Sequence, residues 1–219
     1  MNAENRNQGL PDELFARVDE GDDANFYDVP RLVAHIDPGT IAALTQYYRD
    51  VLPDGGRVLD LMSSWISHLP KEARYRSVAG LGMNAAELDA NPRLDVRVVQ
   101  DLNRNPRLPF ADGAFDAVLI AVSVQYLVRP VDVFRDIARV LAPGGRLIVA
   151  MSHRCFPTKA VRAFHQLGPE DRIRLIGAYV ELAGGFDVAT FEDRSPDGED
   201  PLWIVTATTH TRMQTEEKS

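Results

Sequence analysis

The feature that most constrains this chain is a series of short apolar runs that recur at regular intervals through its middle. The five runs are residues 57–61, 77–81, 96–99, 117–122 and 146–150. The fourth is almost wholly apolar, which is typical of a strand covered on both faces of a sheet. Because the connections are short and partly helical in pattern, the strands should return in parallel through right-handed crossovers. The spacing therefore predicts an α/β fold with a doubly wound, mostly parallel sheet.

Helical patterns and turn residues fall between and after these runs. Asn84 is a favourable N-cap for a helix that continues to about residue 90, and Pro130 opens a second helix with a single apolar face. A short helix is also expected within residues 65–74. Two more helical patterns follow the last run, at residues 157–167 and 169–182.

The end of the chain predicts a hairpin at the edge of the sheet. Residues 186–191 and 202–210 are rich in β-branched and aromatic side chains, and an acidic turn joins them. Two consecutive strands with such a connection pair in the antiparallel sense. We therefore expect an antiparallel C-terminal edge hairpin beside the parallel strands.

The segment before the first run predicts a helical cap. Its apolar residues recur at intervals of three and four, as in amphipathic helices. They are Leu14, Val18, Leu32, Val33, Ile36, Ile41, Leu44 and Tyr48. The predicted organisation is an N-terminal cap over residues 1–52, a sheet domain over residues 53–210 and a polar tail over residues 211–219.

Charge and cysteine content restrict the partners and the location. The chain has 24 Lys and Arg against 32 Asp and Glu, a net charge of −8, which disfavours binding to nucleic acid because that requires a cationic face. A single cysteine, Cys155, favours a reducing compartment. Since the chain shows no apolar leader and no run of membrane-spanning length, we expect a cytoplasmic protein without membrane attachment. His153 and Cys155 lack the spacing of a metal site, so no metal is predicted.

The stretch LPFADGAFDAVLIAVSVQYLVRPVDVFRDIARVLAPGGRLIV, residues 108–149, resembles the fourth strand, helix and PGG turn of class I S-adenosylmethionine-dependent methyltransferases of the type 11-like group. The order of the elements over residues 57–149 is similar to the same family. The resemblance implies a Rossmann-like fold, S-adenosyl-L-methionine as the cofactor, and methyl transfer to a small-molecule acceptor. In such a reaction the protein supplies mainly proximity, orientation and exclusion of water.

The same resemblance implies which residues bind the cofactor. Asp60 stands where the family has an acid after strand one, although the glycine positions of that loop fall on Met62, Ser64 and Ile66. Gly82 occupies the place of the carboxylate that usually binds the ribose, and Asn84 is the alternative ribose contact. The complete set of implied cofactor residues is Asp60, Met62, Ser63, Ser64, Gly82, Met83, Asn84, Asp101, Leu102, Ala121 and Ser123.

Candidate catalytic and substrate residues lie in the cap and in the loops that follow the strands. If the acceptor must lose a proton, His35, His68 and Tyr126 are the candidate bases. Ordinary structural roles are the alternatives for both histidines. The candidate substrate contacts are Tyr27, Arg31, Trp65 and Arg154. Tyr27, Arg31 and His35 share one helix face if the break at Pro30 falls early, and a salt-bridged outer face is the alternative role. Arg154, together with Lys159, is a candidate site for an anionic acceptor, and a solvated cation at a helix start is the alternative.

Two other functions fit the same residues. The missing glycines and Gly82 also suit a non-catalytic or repurposed protein that binds S-adenosylhomocysteine or another nucleoside. A third hypothesis is hydrolysis or elimination at the sulfonium of the same cofactor. Neither the acceptor nor the oligomeric state can be deduced from the residues.

Overall fold

Seven strands form one sheet in the computed structural model, which describes residue 7 and residues 9–211. The strands are β1 (Arg57–Leu61), β2 (Ser77–Gly82), β3 (Val96–Val99), β4 (Phe115–Ala121), β5 (Leu141–Met151), β6 (Thr190–Asp193) and β7 (Trp203–Thr208). Their order is β3-β2-β1-β4-β5-β7-β6. The first five strands pair in parallel, while β7 pairs antiparallel with both β5 and β6. The predicted mostly parallel sheet with an antiparallel edge hairpin is confirmed.

Six helices accompany the sheet, and their ends follow local capping rules. The helices are α1 (Asp23–Tyr27), α2 (Pro38–Val51), α3 (Ala85–Ala90), α4 (Pro130–Val140), α5 (Arg162–Gln166) and α6 (Pro169–Ala183). Asp37 caps α2 by accepting a hydrogen bond from the Thr40 N–H at 2.9 Å. Asn84 caps α3 by accepting from the Glu87 N–H at 3.1 Å, as the sequence predicts.

The core has two apolar layers, one on each face of the sheet. Adjacent strand residues point to opposite faces, so Val58 packs with α2 whereas Leu59 packs with α4 and α6. Leu119 and Ile120 of β4 divide in the same way, and each is fully buried. Burial on both faces explains why the central strands are continuously apolar. The arrangement leaves the carboxyl ends of β1, β2 and β4 open at one edge.

The structure departs from the predicted helices in three places. Residues 28–37 and 65–74 are irregular, and α5 is shorter than the helix expected over residues 157–167. Leu32 and Val33 are 55% and 57% exposed, so their spacing does not reflect burial on a helix face. The predicted common helix face for Tyr27, Arg31 and His35 is therefore wrong. Of the predicted polar tail, residues 212–219 lie outside the described residues, and the predicted domain boundaries stay predictions.

A buried ion cluster attaches the first part of the cap to the sheet domain. The Lys159 side chain is fully buried, and its Nζ lies 2.9 Å from Asp23 Oδ1 and 3.0 Å from Asp19 Oδ2. Arg17 Nη1 contacts both Asp23 carboxylate oxygens at 2.8 Å, and the Asn103 side-chain amide donates to Asp23 at 2.9 Å. Buried charges require such pairing because water cannot solvate them. Lys159 thus binds the cap, where the sequence had suggested an anionic acceptor.

Replacing Lys159 by methionine should destabilise the protein by about 3 kcal/mol, because it removes the buried cation that Asp19 and Asp23 share and leaves Asp23 paired with Arg17 alone. Urea unfolding at neutral pH measures the change. The control is Arg174→Met, whose ion pairs with Glu170 and Asp171 are exposed and should contribute little. Equal stability of the two variants would show that the cluster does not hold the cap.

Candidate functional site

A cleft opens at the carboxyl ends of β1, β2, β3 and β4, beneath the cap. It holds about 1160 Å³ of empty space, its open mouth included. In open α/β sheets this edge is the usual ligand site, because the loops diverge there. All eleven residues that the sequence implies for cofactor binding line the cleft. Five further candidates line it too: Tyr27, Arg31, His35, His68 and Tyr126.

The loop after β1 is folded around a buried carboxylate. Asp60 is 4% exposed, and its Oδ2 accepts hydrogen bonds from the hydroxyls of Ser63 and Ser67, each at 2.6 Å. The Asn91 side-chain amide donates to Ser67 Oγ at 2.8 Å and to the Ser64 carbonyl at 2.9 Å, which fixes the loop from α3. Removal from water raises the pKa of Asp60 to about 6, although the two hydroxyls oppose that rise. The serines of this loop therefore have a defined role.

Three non-glycine residues at the cleft have a left-handed backbone. They are Met62 at φ 58°, His68 at φ 54° and Val122 at φ 49°. The resemblance predicted a glycine position at Met62, and the left-handed backbone there is one that glycine adopts most readily. A conformation of this kind costs about 1–3 kcal/mol, and for a β-branched valine it is a clear outlier. Strain concentrated at one cleft is typical of a functional site.

Gly82 is required where it stands because the loop after β1 crosses the end of β2. A Cβ atom at residue 82 would lie 2.2 Å from the backbone oxygen of Ser63. The Ser63 N–H donates to the Leu81 carbonyl at 2.8 Å and holds the loop in this position. A carboxylate side chain therefore has no room at residue 82.

Glu87, which the sequence analysis missed, lies beside Gly82 on the first turn of α3. Glu87 lines the cleft and accepts hydrogen bonds at 2.6 Å from the Ser64 hydroxyl and from the Arg31 N–H. Its only signal in the sequence is its place three residues after Asn84, which is also the position of a capping-box glutamate. Asn84 itself donates to the backbone oxygens of Tyr27 and Asp28, so its amide is already engaged.

At the end of β3, a half-buried carboxylate and apolar side chains form the opposite end of the cleft. Asp101 accepts a hydrogen bond from the Asn103 N–H at 2.8 Å, and burial raises its pKa. Leu102 is 4% exposed, and Met83 lines the same end. This combination presents an acceptor beside a flat apolar surface.

The cap closes the cleft with an aromatic cluster around one guanidinium. Arg31 lies 4.4 Å from the ring centre of Phe26 and 5.3 Å from that of Phe156, and it donates to the Phe26 carbonyl at 2.8 Å. His35 contacts Phe156 edge to face, with ring centres 5.2 Å apart. Cation–π contacts of this kind hold the Arg31 guanidinium in place, and no carboxylate of the described residues forms an ion pair with it.

The candidate bases differ in their ability to accept a proton. Burial and the neighbouring His35 lower the pKa of His68 to about 4, so this imidazole is neutral at physiological pH. Its Nδ1 is buried and has no hydrogen-bond partner among the described residues. Burial lowers the pKa of His35 as well. Tyr126, by contrast, is buried, its pKa rises to about 12, and its hydroxyl accepts from the Phe156 N–H at 2.8 Å, so it remains a neutral phenol.

Two candidate substrate residues lie outside the cleft. The Trp65 indole donates to the Val33 carbonyl at 3.0 Å, which links the loop after β1 to the cap. The Arg154 Nε lies 2.9 Å from both carboxylate oxygens of Asp200, and Arg154 borders a second pocket. This pocket adjoins the cleft, and the residues that line both are His35, Val122, Tyr126 and Phe156.

The stability of Asp60→Asn, measured relative to that of the wild type, should increase as the pH rises. Because the folded-state pKa is raised from 3.8 to about 6, the favourable contribution of the protonated carboxyl is complete below pH 3.8 and is lost as the pH rises through 6. The unfolding free energy of Asp60→Asn minus that of the wild type should increase by about 2 kcal/mol between pH 4 and pH 8. Asp197→Asn, at an exposed turn, is the control. Parallel curves for Asp60→Asn and the wild type would contradict the assignment.

Within residues 9–211, no helix is long and apolar enough to cross a membrane.

Comparison with known proteins finds a methyltransferase domain and relatives that are named as methyltransferases. Residues 65–149 match a family model described as a methyltransferase domain. Demethylmenaquinone methyltransferase of Mycobacterium sp. (strain KMS) is 36% identical over 118 residues, which are 53% of this chain and 48% of that protein. The protein of the same name from Renibacterium salmoninarum is 30% identical over 154 residues, 67% of this chain and 62% of its own.

A solved S-adenosylmethionine-dependent methyltransferase from Mesorhizobium loti has a similar fold, with a TM-score of 0.53 at 16% identity, covering 76% of this chain and 97% of that one. The chain spans about half the length of the first curated relatives it matches. The match over residues 65–149 is thus to a methyltransferase domain, and the likeness to the solved structure is a likeness of fold.

Proposed function

We propose that this protein transfers a methyl group from S-adenosyl-L-methionine to a small-molecule acceptor. The observation that carries the proposal is the pair of adjoining cavities, which share His35, Val122, Tyr126 and Phe156. The cleft lies at the ends of β1 and β2, the edge at which open α/β sheets usually bind ligands. The second pocket lies between the cap and the segment after β5. A donor in the first and an acceptor in the second would meet at the shared residues.

The residues of the cleft fit this cofactor at both of its ends. Asp60 has one carboxylate oxygen bound by two serines, and its other oxygen receives no hydrogen bond from the described residues. An ammonium group would complete the pairing of this buried carboxylate, which water solvates poorly. Asp101, Leu102 and Met83 suit an adenine ring with its amino group. The departure is at the ribose, because residue 82 has no room for a carboxylate.

The cofactor supplies a methyl group already activated by positively charged sulfur, and the chain supplies its position and surroundings. The aromatic side chains of Tyr126 and Phe156 stack with ring centres 5.8 Å apart and exclude water from the shared region. Ser123 is 8% exposed, and its buried hydroxyl has no partner among the described residues, so it remains available to a ligand. Such pre-positioning removes much of the entropic cost of bringing two reactants together.

The acceptor class is suggested by the lining of the second pocket. Three of its lining residues, His35, Tyr126 and Phe156, are aromatic, which suits a planar ring, and the curated relatives are named for demethylmenaquinone. Arg31 at the cleft and Arg154 at the second pocket are candidate contacts for a negatively charged part of the acceptor. Tyr27 lines the cleft beside them.

Calorimetric titration with S-adenosylmethionine and S-adenosylhomocysteine tests the cofactor directly. Both should bind with dissociation constants well below about 1 mM, and Asp101→Asn should weaken binding by about tenfold or more, because it removes a charged acceptor. Asp197→Asn should bind as the wild type does, since it lies at an exposed turn. If neither compound binds below millimolar concentration, the proposed function is wrong.

The role of His68 can be separated from that of Tyr126 by turnover measurements on hydroxylated aromatic acceptors, including demethylmenaquinone analogues. His68→Asn should lower kcat by about tenfold, less than the loss of an efficient general base usually does, because an imidazole with a pKa of about 4 accepts a proton only weakly. Tyr126→Phe should have a much smaller effect, since its phenol holds its proton at working pH. Cofactor affinity should change little in either variant. Unchanged turnover in His68→Asn would exclude His68 as the base.

A further inference from the structure

We propose that Glu87 replaces the absent carboxylate at the end of β2 and accepts hydrogen bonds from the ribose hydroxyls of the bound nucleoside. The inference rests on the proposed use of S-adenosylmethionine. It concerns a residue of α3, the helix that follows β2, and thus a carboxylate that reaches the same part of the cleft from a different element.

The position of Glu87 is held from two sides. The Ser64 hydroxyl, on the loop after β1, donates to one carboxylate oxygen at 2.6 Å, and the Arg31 N–H, in the cap, donates to the other at 2.6 Å. A carboxylate offers about four acceptor positions, so each oxygen retains one. The side chain lines the cleft, and among the described residues it forms no ion pair. It is therefore a fixed carboxylate with two acceptor positions left for a pair of neighbouring hydroxyls.

The other polar groups near the end of β2 are already committed. Residue 82 cannot carry a side chain, because the Ser63 backbone oxygen occupies that space. The Asn84 side-chain amide, the alternative ribose contact expected from the sequence, donates instead to two backbone oxygens of the cap. Of the other carboxylates that line the cleft, Asp23 is paired with Lys159 and Arg17, Asp60 lies near the end of β1, and Asp101 follows β3.

The alternative role for Glu87 is purely structural, as a clamp between the loop after β1 and the cap. The two roles differ in one measurable respect. A clamp affects every ligand of the cleft in the same proportion, whereas a ribose contact affects only ligands that carry the hydroxyls. Discrimination between ribose and deoxyribose ligands therefore separates them.

The experiment compares calorimetric binding of S-adenosylhomocysteine and of its 2′-deoxy and 3′-deoxy analogues. The wild type should bind the parent compound about tenfold to a hundredfold more tightly than either analogue. Glu87→Gln should lose about the same factor for the parent compound and most of the preference. The control is Glu181→Gln on the exposed side of α6, which should retain wild-type affinity and preference.

Several outcomes would overturn the inference. A wild type without preference for the hydroxyls, or a Glu87→Gln variant that weakens all three ligands equally, leaves Glu87 as a clamp while the proposed function stands. Failure of the wild type to bind any of the three overturns the proposed function itself. If Glu87→Gln does not fold, as judged by thermal unfolding, Glu87→Asp withdraws the carboxylate by one methylene, and it should show the same loss of preference.

Discussion

The burial of Asp60 is the constraint on which the rest of the site depends. A carboxylate at the end of a central strand needs hydrogen-bond donors, because its environment excludes water. The chain supplies them from the next turn, through Ser63 and Ser67, and Asn91 holds that turn from the adjacent helix. A glycine-rich loop could not provide these hydroxyls. The unusual composition of the loop thus follows from solvating one buried acid.

Folding the loop in this way has effects beyond Asp60. The backbone of Ser63 comes to lie against residue 82, which must then be glycine, and Met62 and His68 adopt a left-handed backbone. Ser64 is brought within hydrogen-bond distance of Glu87, which also binds the cap. Loop, second strand and cap therefore form one connected unit. A change at any of them is expected to be transmitted to the others through these contacts.

The sequence predicted the sheet well and the cap poorly, for physical reasons. Strand β1 matches the predicted run residue for residue, and residues 58–61 of it are buried. Strand β3 matches its predicted run as well, although it is a largely exposed edge strand, so its valines reflect strand propensity and not burial on both faces. Leu32 and Val33 fit a helical spacing, yet both side chains are exposed. The prediction failed there because periodicity cannot show whether a surface exists for the apolar residues to pack against. The candidate residues of the cleft came from the family resemblance, whereas Glu87 was missed because a glutamate at that place in a helix has an ordinary capping explanation.

The Lys159 cluster has a consequence for the order in which the molecule can assemble. Asp19 and Asp23 belong to the early part of the chain, but their ammonium partner lies more than a hundred residues later, after β5. During synthesis Asp19 and Asp23 therefore stay solvated by water until the parallel strands and the segment that contains Lys159 have been made. Contacts of such long sequence separation form late, because chain closure costs entropy before it is repaid. The first part of the cap is thus synthesised first, whereas its ion pairs with Lys159 form last.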